Sequence, residues 1–117
     1  MRITFRDNLP AHTVDEAGSF TVVAKFWDDT DPDNWATSTP STVRWRIDDP
    51  DTGITVTEWT TATASSSATI TVNGNGTTLN DQSKDRERRV LTVQANNGLS
   101  NAYVASHQYY VRNSAAY

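Results

Sequence analysis

Apolar and polar residues alternate with a period of two along much of the chain, which is the pattern of half-buried β-strands. The clearest case is Thr42–Asp48, where Val43, Trp45 and Ile47 alternate with arginines and flanking polar residues. The helical spacing of apolar residues, i, i+3, i+4 and i+7, is met only by Phe20, Val23, Ala24 and Trp27, in a segment that also alternates with a period of two. Eighteen threonines strengthen the β signal, because β-branched side chains suit a pleated surface and are stiff in helices. The chain is therefore predicted to be all-β.

Seven strand-like segments are separated by turn-forming clusters. They are Arg2–Arg6, Ser19–Trp27, Thr42–Asp48, Ile54–Thr60, Ala68–Val72, Arg88–Ala95 and Ser100–Val111. The last two are joined at Asn97 and Gly98, a strong hairpin signal. Short strands at such regular spacing are typical of a sandwich of two antiparallel sheets, and Trp45 takes the third-strand position of the core tryptophan of immunoglobulin-like domains. We predict one antiparallel immunoglobulin-like β-sandwich of about seven strands, forming a single domain over residues 1–117.

The turn Asp49–Gly53 has the chemistry of a tight connection, with a proline that presets φ and a glycine that is free to take a positive φ. A hairpin that closes symmetrically about this turn pairs Ile47 with Ile54 and Trp45 with Val56. The predicted register puts these apolar side chains on the core face.

Composition narrows the classes of function. There is no cysteine, which removes thiol nucleophiles, zinc–thiolate sites and disulfides and favours folding in a reducing cytosol. The net charge of −4 argues against a nucleic-acid binder, which needs a basic face. No apolar run has the length of a signal peptide or a membrane span. We expect a free-standing domain made in the cytoplasm, without membrane insertion.

The acidic loop after the second strand invites a calcium interpretation. Asp29, Asp31 and Asp33 have the spacing that begins a calcium-binding loop. The pattern then fails, because the sixth position is Asn34 instead of glycine and the twelfth is Pro40 instead of glutamate. We expect no metal here and a solvated loop whose aspartates bond their own backbone, with a calcium site at the three aspartates as the weaker alternative.

The other polar clusters indicate no catalysis. The basic run Lys84–Arg89 is interrupted by acidic residues and lies at the same predicted end as Asp48–Asp51, which favours cross-loop ion pairs over a phosphate site. His12 falls in a predicted loop and His107 in a predicted strand, and neither lies on a predicted helix. No nucleophile elbow, phosphate-binding loop or dinucleotide motif is present. No catalytic residue and no cofactor are predicted.

Aromatic side chains are the remaining lead, since Trp and Tyr are enriched at protein interfaces and also stack on sugars. The interface candidates are Trp35, Trp59, Tyr103, Tyr109 and Tyr110. Two further aromatic residues lie near them in the sequence: Trp27, on the other side of the acidic loop from Trp35, and Tyr117, after the late tyrosines. Each of them fits a place in the core equally well.

Several short motifs resemble immunoglobulin-like proteins of tailed bacteriophages. They are VRWRID at 43–48, TG at 52–53, EWT at 58–60, GLS at 98–100 and YYVRN at 109–113, so that the likeness covers about residues 41–113. The resemblance implies a non-enzymatic accessory protein of the virion, on the capsid or at the neck or tail, produced in the host cytoplasm.

The resemblance further implies other virion proteins as partners, in a symmetric assembly and with at most weak glycan contact. Exposed edge strands suit such assembly by strand addition. The alternative is a carbohydrate-binding or adhesive module, in which two or three of the aromatic rings form a coplanar platform beside Asp or Asn.

Overall fold

In a computed structural model, which describes residues 1–113, the chain forms nine β-strands and two short 3₁₀ turns. The strands are β1 (Arg2–Asp7), β2 (Thr13–Asp15), β3 (Phe20–Asp28), β4 (Ala36–Thr37), β5 (Val43–Asp49), β6 (Ile54–Ala62), β7 (Ser67–Val72), β8 (Arg86–Ala95) and β9 (Tyr103–Arg112). The 3₁₀ turns span Pro10–His12 and Gly74–Thr77. Within the described residues, no helix has the length and apolar character needed to cross a membrane.

The strands form two sheets that pack together in the manner of a β-sandwich. In the first sheet, β3 lies between β1 on one side and β7 and β4 on the other, all antiparallel. The second sheet has the order β2-β9-β8-β5-β6, in which only the short β2 runs parallel to its neighbour. The all-β prediction is confirmed. Each of the seven predicted segments contains a strand, and the short β2 and β4 are additional.

The core lies between the sheets and follows the alternation in the sequence. Phe20, Val22, Ala24 and Phe26, every second residue of β3, are all buried. They meet a matching row from the second sheet that includes Ile47, Leu91, Val93 and Val111. Trp45 is half-buried and packs against this core from β5.

The predicted register of the β5–β6 hairpin is wrong. Ile54 lies opposite Asp49 rather than Ile47. The turn closes at Asp49, whose carboxylate accepts the backbone N–H groups of Asp51 and Thr52 at 3.0 and 3.4 Å. Because the Asp49 side chain caps its own turn in this way, the first residue pair of the β5–β6 ladder is Asp49 with Ile54, and the position of Pro50 does not determine it.

The second predicted pair fails for a different reason. Trp45 lies opposite Thr60 rather than Val56, because β6 contains more residues than β5 over the same length of ladder. Register shifts occur between Trp45 and Ile47 and again between Ile47 and Asp48. Such bulges twist a strand locally and change the face that its side chains occupy.

The last hairpin has a longer turn than the Asn-Gly signal suggested. β8 ends at Ala95 and β9 begins opposite it at Tyr103, not at Ser100. The intervening segment folds into two successive turns, in which the Leu99 N–H donates to the Asn96 carbonyl and the Ala102 N–H to the Leu99 carbonyl. These local hydrogen bonds satisfy the backbone and delay the start of the strand.

Candidate functional site

Four large apolar side chains are exposed at one end of the sandwich, which we call the apolar end. They are Trp35 before β4, Leu99 in the β8–β9 turn, and Tyr103 and Val104 at the start of β9; Leu99 and Val104 are 50% and 52% exposed. In the described part of the chain, only one other large apolar residue, Ile54, is as exposed. Trp35 and Tyr103 were among the interface candidates, and the structure places both at the same end.

A cleft of about 350 Å³ connects the two loops of this end. Trp27, Asp28 and Met1 line one side and Asn101 to Tyr103 the other. The indole of Trp27 lies 6.2 Å from that of Trp35, centroid to centroid. Trp27 therefore lines the cleft opposite Tyr103, with Trp35 beside it.

Charged groups hold Trp35 in place on the surface. The guanidinium of Arg2 lies 4.5 Å from the Trp35 ring centroid, within the range of a cation–π interaction. Asp29 fixes Arg2 by a hydrogen bond of 3.4 Å and also pairs with the N-terminal amino group of Met1 at 3.3 Å. The N-terminal segment thus fastens the acidic loop to β1.

The acidic loop uses its aspartates as turn formers. Asp28 accepts the backbone N–H of Thr30, and Asp31 accepts that of Asp33, each at 3.0 Å. Across residues 1–113, a single group of three His or carboxylate ligand atoms lies within 4.8 Å of one another, and it is elsewhere. The carboxylates of Asp29, Asp31 and Asp33 do not converge on a common point.

That group consists of Asp7, His12 and His107, which we call the Asp–His–His cluster. One oxygen of Asp7 accepts hydrogen bonds from Nδ1 of His12 at 2.5 Å and from Nε2 of His107 at 2.7 Å. The Asp7 side chain is only 2% exposed, whereas His12 is 61% exposed. The cluster therefore extends from a buried carboxylate to the surface.

Each member of the cluster is positioned by a different element. Asp7 ends β1, and its other oxygen accepts the Leu9 N–H at 3.1 Å. His107 lies on β9, where its ring stacks on that of Phe5 at 5.5 Å. His12 ends the first 3₁₀ turn, and its own ring meets His107 edge-on at 5.4 Å.

The backbone at His12 is strained. Ala11 and His12 have φ values of 50° and 52°, in the left-handed region that costs an L-residue about 1–2 kcal/mol. Strain of this kind is concentrated at functional sites.

Electrostatics keep Asp7 ionised. Burial raises the pKa of its carboxyl, but the hydrogen bonds from His12, His107 and the Leu9 N–H outweigh burial and leave the pKa below its ordinary value. A carboxylate accepts hydrogen bonds and donates none, so both imidazole nitrogens that face it carry hydrogen.

No protein-family model, curated protein or solved structure matches the chain. Its function must therefore be inferred from the geometry of its own surface and clusters.

The remaining interface candidates lie away from the apolar end. Tyr109 is fully buried, so its assignment to an interface is wrong. Its ring packs edge-on against Phe20 at 4.8 Å, its hydroxyl donates to the Gly76 carbonyl at 2.6 Å, and burial raises its pKa. Odd-numbered residues face the core in this half of β9, and an aromatic residue there fills space between the sheets.

Trp59 and Tyr110 are half-buried beneath arginines. The Trp59 ring on β6 lies 4.0 Å from the guanidinium of Arg44 and 4.9 Å from that of Arg46, on the outer face of the second sheet. Tyr110 lies 4.4 Å below Arg86. Both rings are covered by their own chain. Tyr117 lies outside the described residues.

The basic run forms ion pairs with the opposing acidic turn, as the sequence predicted, but one of them is in the core. Arg88 pairs with Asp51 at 3.0 Å on the surface. Arg89, in contrast, is fully buried between Glu87 at 2.7 Å and Asp49 at 3.5 Å. Its charge is neutralised internally and is not available to a phosphate group.

Sequence reasoning missed the Asp–His–His cluster because its members have no common local pattern. His107 is 100 residues from Asp7, and β1 and β9 belong to different sheets. A local signal existed for one half of the cluster, because Asp7 is the last residue of β1 and His12 ends the 3₁₀ turn that begins at Pro10.

Proposed function

We propose that this protein is a non-enzymatic binding and assembly module, an immunoglobulin-like accessory protein of a bacteriophage virion that sits on the capsid, neck or tail. The apolar end is the observation that carries the proposal. In it, four of the five exposed large apolar residues of the described chain lie in the loop before β4, in the β8–β9 turn and at the start of β9. The partner is a neighbouring virion protein in a symmetric array, reached after synthesis in the host cytoplasm.

The strand order supports the immunoglobulin-like part of the proposal. β1, β3 and β7 form one sheet, while β5, β8 and β9 form the centre of the other, with β6 at its edge. The N-terminal segment changes sheets, because β1 pairs with β3 and β2 pairs in parallel with β9. Sandwiches of this kind distribute their strands between sheets in the same way. Trp45 lies on β5, the strand that corresponds to the usual tryptophan strand.

The character of the apolar end supports assembly with a protein. Several exposed apolar side chains at one end of a molecule favour an interaction site there, and aromatic residues are enriched in the centres of protein interfaces. The turn that presents Leu99 is rigid, because the buried Asn96 accepts the Ser41 N–H at 2.7 Å and donates its own N–H to the Thr42 carbonyl at 2.9 Å. A preorganised loop loses little conformational entropy when it binds.

The geometry is less suited to a carbohydrate-binding module. A sugar ring stacks on aromatic rings that form one flat platform, whereas the Trp27 and Trp35 planes are inclined by 56°. The Arg2 guanidinium also covers one face of Trp35. Assembly with a protein surface is therefore the function that we favour.

An adsorption experiment tests the proposal. Purified protein is mixed with particles that are produced from the encoding genome without this chain, and the bound copies per particle are counted after sedimentation. We expect saturable binding at many equivalent sites. The double variant Leu99→Ser/Val104→Thr is expected to lose at least about tenfold in affinity, because truncating central interface residues costs more than about 1.4 kcal/mol in total.

Ile54→Thr is the matched control. Ile54 is 56% exposed, comparable to Leu99 and Val104, but it pairs with Asp49 at the other end of β5. Six residue steps along β5 separate the two ends by about 20 Å. Equal losses in both variants, or a monomer that ignores particles and is retarded on polysaccharide gels, would contradict assembly through the apolar end.

A further inference from the structure

Two imidazole nitrogens and one carboxylate oxygen converge where β1, the first 3₁₀ turn and β9 meet. All three ligand atoms of Asp7, His12 and His107 lie within 4.8 Å of one another. We propose that the Asp–His–His cluster is a binding site for a divalent transition-metal ion of the zinc class. The role is separate from the apolar end, and its test is independent of any virion partner.

The donor set selects the class of metal. Imidazole nitrogen suits zinc, copper, nickel and iron, whereas calcium and magnesium require mainly oxygen ligands. Two histidines and one carboxylate leave at least one position of a tetrahedral zinc ion for another ligand. Because His12 is 61% exposed, that position opens toward solvent.

The geometry requires only a small adjustment. In a tetrahedral site with metal–ligand bonds of about 2.0–2.1 Å, ligand atoms are about 3.3 Å apart. The two nitrogens are now 2.5 and 2.7 Å from the Asp7 oxygen, so each N···O separation must widen by less than about 1 Å. The two nitrogens already lie within 4.8 Å of each other and must settle at the same spacing. His12 lies on an exposed turn that can supply such a movement.

Neighbouring groups orient the side chains of the cluster, as they do around the ligands of known metal sites. Metal-binding side chains are oriented by a further shell of contacts. The second oxygen of Asp7 is held by the Leu9 N–H at 3.1 Å, and the ring of His107 is stacked on Phe5. The strained backbone at Ala11 and His12 aims the third ligand at the same oxygen.

Metal binding exchanges hydrogen bonds for coordination bonds. The ring nitrogens facing Asp7 carry hydrogen in the metal-free cluster and must present lone pairs to the ion. A neutral imidazole does so by moving its proton to the other ring nitrogen, and a charged one by releasing a proton to water. The Asp7 carboxylate then contacts the ion in place of the two N–H groups.

The experiment uses the full chain without a polyhistidine tag. Zinc in molar excess is expected to raise the melting temperature by several degrees, since a ligand of the native state stabilises it. Calorimetry should give one ion per chain, and cobalt(II) should develop the visible absorption of a tetrahedral nitrogen–oxygen site. Absence of either the stabilisation or the cobalt band from the wild-type protein would overturn the proposal and leave the cluster a hydrogen-bonded triad.

Three variants localise the site. His12→Gln, at an exposed position, and His107→Gln are each expected to lose at least tenfold in zinc affinity. Asp29→Asn removes a carboxylate from the acidic loop and is expected to bind zinc as the wild type does. If both histidine variants retain the wild-type affinity, or if Asp29→Asn alone abolishes binding, the ion lies elsewhere and the proposal is wrong.

Discussion

Arg89 is fully buried between two carboxylates. Its guanidinium bonds Glu87 and the Thr78 carbonyl, and it lies 3.5 Å from Asp49. Burying three charges is costly, and the cluster is tolerated because each carboxylate also accepts further hydrogen bonds: Asp49 from Asn80, and Glu87 from two backbone N–H groups. The residue ties β8 to the turns at this end of the sandwich.

Replacing Arg89 by Met is expected to destabilise the fold by about 3–5 kcal/mol, because it leaves two buried carboxylates without their cation. Arg88→Met is the matched control on the same strand. It breaks only the exposed pair with Asp51 and is expected to cost less than about 1 kcal/mol. Denaturant unfolding measures both. Similar losses for the two variants would show that the buried pairs contribute no more than the surface one.

At the scale of elements, the second 3₁₀ turn closes the end of the core between the sheets. Gly76 of this turn is buried against β7 and β5, and its carbonyl accepts the Tyr109 hydroxyl from β9. A Cβ at this position would lie 2.7 Å from the Val72 side chain and 3.0 Å from that of Ile47. The glycine is needed for close packing and not for a positive φ.

Gly76→Ala is therefore expected to destabilise the protein by about 1–3 kcal/mol, the usual range for an overpacked core. Asn75→Ala, at the exposed neighbouring position of the same turn, is the control and should change stability by no more than about 0.5 kcal/mol. Thermal and denaturant unfolding give the comparison. A neutral Gly76→Ala would mean that the turn moves away from β7 without loss.

At the scale of the whole molecule, carboxylates at the ends of β1 and β5 are held ionised by the fold. In Asp49, burial raises the pKa, but the hydrogen bonds from Asn80 and the Asp51 N–H and the charge of Arg89 outweigh it and leave the pKa below its ordinary value. The pKa of Asp7 is likewise below its ordinary value, because its hydrogen bonds outweigh the effect of burial. A pKa that is lower in the folded than in the unfolded state contributes stability at higher pH.

Stability is expected to be retained from neutral pH down to about pH 4 and to fall as the pH drops further, through the depressed pKa values of Asp7 and Asp49. Protons bind the unfolded chain first, because its aspartates have the ordinary pKa of 3.8. Melting temperatures recorded by circular dichroism across this range check the sign. A melting temperature that is unchanged or higher at about pH 3 would refute it.

Local patterns in the sequence were sufficient for seven of the nine strands and for the inward face of β3. Side chains two residues apart share a face of any strand, so every second residue from Phe20 to Phe26 lies on one apolar face of β3. That face could be assigned to the core without knowledge of the opposite sheet. The aspartate turns of the acidic loop are also local, because each carboxylate bonds a backbone N–H two residues away. Trp35 and Tyr103 were recognised as candidates by residue type, although their location at the same end was not predicted.

Contacts between distant segments decided the rest. The Asp–His–His cluster requires β9 to pass beside the end of β1, and no pattern within either strand indicates that passage. Tyr109 and Arg89 are buried because the opposite sheet and the loops cover them, and the same residue types on an uncovered face would be exposed. The β5–β6 register depends on two register shifts that the alternation in the sequence does not mark. Periodicity is a property of one strand, whereas burial and convergence are properties of pairs of elements.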